Sequence, residues 1–214
     1  MNTDLTRVAR EAADWLDTHQ WIQDEWGDES KGCLHQAVRV CDPHPGDGYI
    51  VSAVLTHLGY TTGWNDEEGR TKDEVLAVLR DVSVTDAELE ATFGPNWSDV
   101  VTLVRQAATL TGDQADRLDA ARGAAWGAAW GAAWDAARSA AWDAARSAAW
   151  DAAWDAAWDA AKVAAGGAVG GAAGGAVGDA ARAVVVRDLI TVDQYETLTG
   201  PWVSVMGPIG GGDD

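Results

Sequence analysis

Four residues in the first quarter of the chain have the types that bind zinc. One residue separates Cys33 from His35 and two separate Cys41 from His44, so two thiols and two imidazoles fall within positions 33 to 44. Zn2+ takes four such sulfur and nitrogen ligands in a tetrahedron. The competing reading makes Cys33 and Cys41 small buried residues of a helix, with both histidines on the surface. A second cluster is Trp64-Asn65-Asp66 with Arg70, which offers an amide, a carboxylate and a guanidinium in seven residues. It reads as a polar binding loop, or as a set of local turns ahead of a helix capped by Thr71; the turns are the favoured reading. The chain holds no Gly-x-Ser-x-Gly, no phosphate loop, no dinucleotide fingerprint and no His-Glu-x-x-His. The expectation is a protein that is not an enzyme and carries no cofactor.

The third constellation is aromatic. From Asp119 to Arg182 the chain reads as sixteen tetrads without a phase slip. Ten of them, from Gly123 to Lys162, have Ala-Ala in the middle. Their fourth positions include Trp126, Trp130, Trp134, Trp142, Trp150, Trp154 and Trp158. In the last five tetrads Gly166, Gly170, Gly174 and Gly178 fill the same slot, and the final tetrad, Asp179-Ala-Ala-Arg182, repeats the first, Asp119-Ala-Ala-Arg122. Single base changes interconvert Trp with Arg or Gly and Asp with Gly, so the pattern fits tandem expansion of a twelve-nucleotide unit followed by drift. Ala at every step nonetheless demands helix. A tetrad turns about 400°, so the Trp row creeps around the helix by about 40° per repeat. Arg138 and Arg146 stand one turn from tryptophans, within reach of cation–π stacking, and Asp135–Arg138, Asp143–Arg146 and Asp159–Lys162 have the spacing of ion pairs along one helix. Paired glycines cost helix about 1 kcal/mol each relative to Ala, so the Gly-rich stretch needs close packing, and the Trp row is its obvious partner. These residues form the expected packing and interaction ridge.

The elements that carry these residues are helical throughout. Leu5, Val8, Ala12, Trp15 and Leu16 recur at helical spacing; so do Leu34, Ala37, Val38 and Cys41, and so do Tyr49, Ile50, Ala53, Val54, His57 and Leu58 before Gly59. Thr71–Glu74, Thr85–Glu88 and Thr191–Gln194 have capping-box spacing, and Ser98 is placed to cap another helix. No run alternates long enough to demand a sheet. The expected fold is all-α. A small acidic helical head spans 1–117, and a tetrad-repeat segment spans 118–182. C-terminal helices and a frayed tail occupy 183–214. Within the repeat, a long Trp-rich helix over 119–162 folds back as an antiparallel hairpin on a Gly-rich helix over 163–182, turning near Ala164–Gly167.

Charge narrows the partners. The 214 residues hold 34 acids and 15 bases, a net charge of −19 with a pI near 4.3. That excludes general binding to a phosphate backbone, which needs a basic surface. The acid excess sits in residues 1–118, with 22 acids to 9 bases, while the tetrads are almost balanced at 7 to 5. No strongly apolar run spans a bilayer, and the start lacks a signal-peptide core, so a bacterial cytoplasm is expected. Two cysteines make no disulfide framework. The Ala, Gly, Asp, Arg and Val usage suits a GC-rich genome or a salt-adapted one.

Two stretches of the head resemble a known pattern. They are Gln20-Trp21-Ile22-Gln23 followed by Gly32-Cys33-Leu34-His35-Gln36-Ala37, and Gly63-Trp64-Asn65-Asp66-Glu67-Glu68-Gly69-Arg70-Thr71 followed by Glu74-Val75. They resemble a domain-of-unknown-function family of actinobacteria and their phages, which reads Gly-Trp-x-Gln, Cys-Leu-x-Gly-Ala-Leu, then Trp-Asn-Asp-x-x-Gly-Arg-Thr-x-x-Glu-Val. Gln20 and Gln36 depart from its glycines. The tail, with Leu198-Thr-Gly-Pro201-Trp202, is similar to extensions of phage proteins. The resemblance implies a small helical head and no assigned activity. It implies Cys at position 33 but not His at 35 or 44, which favours the buried-cysteine reading.

The function expected from these features is a helical interaction or scaffold protein of phage type. It associates with itself through the Trp ridge and acts on a protein partner rather than on nucleic acid or membrane. The alternative is an acidic inhibitor that mimics nucleic acid on a host or defence protein. A weaker third option is membrane activity of the Gly-rich segment.

Overall fold

The computed structural model describes residues 3–25, 27–28, 30–42, 44–127, 131–147, 151–169 and 173–210. They form an all-α fold in two compact units, Met1–Leu89 and Glu90–Asp214.

In the first unit, α1 (Thr3–Thr18) packs against α2 (Leu34–Val40), α3 (Asp47–His57) and α5 (Lys72–Asp81). The apolar stripes meet as their spacing requires: Leu5, Val8, Ala12 and Leu16 bury against Leu34, Val38, Ile50, Val54, Val75 and Leu79. A single turn, α4 (Thr62–Asn65), stands between α3 and α5. Gly59 takes φ +93° after α3, a conformation that favours glycine. Thr71 and Glu74 close a capping box on α5. Strand pairing among the described residues is a two-residue parallel ladder, β1 (Gln20–Trp21) with β2 (Lys31–Gly32), and a single antiparallel bridge between Gly27 and Gly32, too short to leave an alternating signature. The helix α6 (Asp86–Phe93) runs through the boundary between the units, and Thr85 and Glu88 cap it reciprocally.

The second unit holds α7 (Trp97–Ala108), α8 (Gly112–Gly127), α9 (Gly131–Ser147), α10 (Asp151–Val169), α11 (Gly174–Val185), a 3-10 turn (Arg187–Leu189) and α12 (Val192–Met206). Asn96, not Ser98, occupies the N-cap of α7, and its side chain makes no capping bond. Thr111 and Gln114 form a box on α8 that the sequence reading passed over.

Four expectations are corrected here. The units part between Leu89 and Glu90, not at 117, because α7 buries Val100, Leu103 and Val104 and packs on α10 and α11 of the repeat. The C-terminal α12 belongs to the same unit, packed against α8, α9 and α11. A change of composition marks the repeat; it does not mark where apolar faces find partners.

The Trp-rich stretch is also not one straight helix. The rings of Trp142 and Trp154 meet edge to face at 6.1 Å. A straight helix would set residues twelve apart about 18 Å from each other on different faces. Nor does the chain turn near Ala164–Gly167. The helix α10 continues through Gly166 and Gly167 to Val169, held by the burial of Ala160, Ala161, Ala164 and Ala165.

Candidate functional site

The polar cluster of the head is a hydrogen-bonded knot centred on Asn65, which is fully buried. Its Oδ1 accepts from Trp21 Nε1 at 2.9 Å and from the Leu34 backbone N–H at 3.2 Å. Its Nδ2 donates to the Ile22 carbonyl at 3.3 Å and to Asp66 Oδ1 at 2.7 Å. A carboxamide has two donors and two acceptor sites, and all four are used. Gln23 Nε2 donates to the carbonyls of Asn65 and Glu67, and the Asp24 N–H donates to Asp66 Oδ1.

Arg70 closes the far side. Its guanidinium lies 4.0 Å from the centre of the Trp64 ring, its Nε donates to the Trp64 carbonyl, and it pairs with Glu67 and Glu74. Gly69 precedes it at φ +88°, a conformation open to glycine. The structure therefore brings Trp64, Asn65, Asp66 and Arg70 together, and adds Trp21, Gln23 and Leu34. The motif residues are the parts of one brace that ties 20–24, the start of α2 and the α4–α5 junction. Asn65 has no hydrogen-bonding capacity left over for a ligand.

The four zinc candidates are not brought together. Among the described residues no group of three or more His, Cys, Asp or Glu is arranged to hold a metal. Cys33 is buried at the N-cap of α2, and Cys41 lies at the other end of that helix with its thiol directed to the Glu11 carbonyl at 3.5 Å. Burial pushes the Cys41 thiol up to about 11, away from the thiolate a metal needs. His35 is buried as well, against the expectation of a surface histidine, while His44 is exposed. The Tyr60 carbonyl 3.1 Å from His35 Nε2 can only accept, so that nitrogen carries the proton. Desolvation, reinforced by the Arg39 charge, lowers the imidazole to about 4.

In the repeat, fourth positions meet fourth positions. A Cβ added at Gly174 would lie 3.2 Å from Lys162 Cγ; one at Gly178 would overlap the six-membered ring of Trp158, at 2.8 Å from Cδ2. Arg182 lies with its guanidinium 3.9 Å from the Trp158 ring centre and 5.3 Å from that of Trp154, and pairs with Asp155 at 3.3 Å. So α10 and α11 run antiparallel with their tetrads in step: 162 with 174, 158 with 178, 154 with 182. Trp154 is 2% exposed under this contact. Gly166 lies outside it, because a Cβ there would meet nothing within 4 Å.

The ridge is thus divided. Trp154 and Trp158 are covered within the chain, whereas Trp142 on α9 stays 42% exposed. Trp130, Trp150 and Gly170, and the side chains of Trp126 and Trp134, lie outside the described residues.

Among the described residues the ion pairs of the repeat run between helices, not along them. Arg122 Nε donates to Asp179 Oδ2 at 3.2 Å, joining the first tetrad to the last. Burial raises the Asp179 carboxyl, and the Arg122 charge opposes that shift. Among the described residues the ridge is stacked by Arg182, facing it from α11, and by Lys162, whose Nζ lies 5.6 Å from the Trp158 ring centre. Arg122, Asp179 and Arg182 were not singled out as site residues from sequence, although the identity of the first and last tetrads was the signal that would have found them.

No helix among the described residues is long and apolar enough to cross a membrane. No curated protein matches the chain, and no solved structure matches it. Over residues 1–84, nearly the whole of its first compact unit, the chain is similar to DUF6197, a family of unknown function.

Proposed function

We propose that the chain is a non-enzymatic helical interaction protein that associates with itself through the tetrad repeat, acting in the cytoplasm of an actinobacterial host or its phage. The observation that carries this reading is Trp142. Its indole remains 42% exposed on a helix whose opposite face is packed, although the same repeat covers Trp154 to 2%. A large exposed aromatic on a regular surface supports a role as a contact point. The near-neutral charge of the tetrads supports it too, because the strongly acidic remainder repels other copies while the repeat does not. Size-exclusion chromatography with light scattering tests it. The wild type should exceed the 22.5 kDa of one chain, and Trp142→Ala should return towards that mass. A strict monomer at every concentration overturns the reading.

The head favours a second reading, the nucleic-acid mimic. The knot ties residues 20–24 to the α4–α5 junction, and exposed Asp24, Glu25, Asp28, Glu67 and Glu68 border it. Recovery of a basic nucleic-acid-binding protein from host lysate at low salt would support it; recovery of none would count against it.

A further inference from the structure

The inner face of α8 changes character halfway along the helix. Ala115 and Leu118 are buried. Arg122 and Ala125, which continue the same face at helical spacing, are only half-buried. No described side chain from 119 to 125 is buried, and Asp119, Ala120, Gly123 and Ala124 are exposed. Leu118 is therefore the last apolar anchor of α8 among the described side chains, and the turns beyond it lie on the surface of the second unit.

Among the described residues a single side-chain bond ties those turns to another helix, from Arg122 Nε to Asp179 Oδ2 at 3.2 Å. Gly175 makes room for it. A Cβ there would lie 2.7 Å from the Arg122 guanidinium carbon and 2.8 and 2.9 Å from two of its nitrogens, so the guanidinium rests on the bare backbone of α11. The carboxylate it reaches is itself only 4% exposed. Burial raises that carboxyl, with Arg122, Arg138 and Arg182 pulling the other way. Desolvation thus offsets much of what the ion pair returns, the usual balance for a charge taken out of water.

We infer that residues 119–127 are an arm that opens at Leu118, held shut by Arg122 seated on Gly175 and Asp179. Opening returns Asp179 to water and uncovers Gly175, while the rest of the second unit stays folded. Two properties make the opening local. The arm gives up no buried apolar side chain among those described, and segments with few such contacts open at a free energy well below that of global unfolding. Once unseated, the arm is also poor helix, because Gly123 and Gly127 lower its propensity and nine residues are too few to hold a helix without packing. The device is independent of the self-association proposed above.

Amide hydrogen exchange on the full chain tests it. In the wild type, residues 119–127 should exchange at least about tenfold faster than 116–118 of the same helix and than α11. Arg122→Ala removes the catch, and Gly175→Ala drives the guanidinium off its seat. Each should speed exchange over 119–127 by a further factor of about ten and leave 116–118 unchanged. The double variant should exchange no faster than either single one, because both substitutions act on the same contact. Wild-type exchange that is uniform along α8 overturns the arm, and that result decides the matter even where a variant fails to fold. Faster exchange that spreads over the whole unit in the variants, or no change over 119–127, overturns the role of Arg122. So does a double variant in which the two effects add.

Discussion

The knot of the head and the tetrad pair of the second unit solve the same problem with opposite means. Around Asn65 four hydrogen bonds go to four different residues, three of them more than 30 positions away and the fourth the adjacent Asp66. In α10 and α11 one contact recurs every four residues, large side chain or cation against glycine or guanidinium. The first arrangement concentrates its specificity in a single residue. The second spreads it along a repeat, where no one tetrad is unique and the ends, Arg122 and Asp179, tie the first helix of the series to the last. Unpaired buried donors and acceptors cost more than local changes of volume, so the head should be the more brittle region to single substitutions.

The largest effect is expected at Asn65. Asn65→Ala strands the Trp21 indole N–H, the Leu34 N–H and the Ile22 carbonyl, and should destabilise the protein by about 3–5 kcal/mol. Denaturant unfolding gives the magnitude, and hydrogen exchange should show the loss centred on residues 20–34 and 61–75. A loss below about 1 kcal/mol would mean that water replaces the amide without penalty, and the contrast between the two regions would weaken.

A second test uses acid. All four histidines lie in the first unit, and His35 is the one held to about 4 by burial. The unfolded chain takes up its proton near 6.5, so between 6.5 and 4 the unfolded state binds more protons than the native one. The stability contributed by neutral His35 is complete above 6.5 and is lost as the pH falls towards 4. Between pH 7 and pH 5 the loss should be about 2 kcal/mol. His35→Gln keeps a donor for the Tyr60 carbonyl and should lack this part of the slope. Parallel pH profiles for wild type and variant would contradict the burial of the imidazole.

Much of this was readable before the structure, and the failures share a cause. The stripes of α1, α2, α3 and α5 and the boxes at Thr71, Thr85 and Thr191 are local patterns, and local patterns survive in a one-dimensional reading. Asn65 was visible as a residue of interest but not as a hub, because its partners come from Trp21, Ile22 and Leu34 and no spacing rule connects them. The buried state of His35 was hidden for the same reason, since the Tyr60 carbonyl that receives its proton lies 25 residues away. In the repeat, the match between Trp slots and Gly slots was legible, but its register was not. Every tetrad offers the same Ala-Ala step, so the sequence could not say that Gly178 meets Trp158 while Gly166 meets open space.

That pair of glycines gives the most direct measurement of whether the repeat is a fitted packing device or a leftover of expansion. Both glycines lie in helices and both occupy the fourth slot of a tetrad, so propensity alone predicts the same stabilising change for each, up to about 1 kcal/mol on substitution by Ala. The fitted register predicts opposite signs. Gly166→Ala should raise the melting midpoint, whereas Gly178→Ala drives a methyl group into the Trp158 ring and should destabilise by about 1–3 kcal/mol. A midpoint that rises for both variants would contradict the register of α10 on α11.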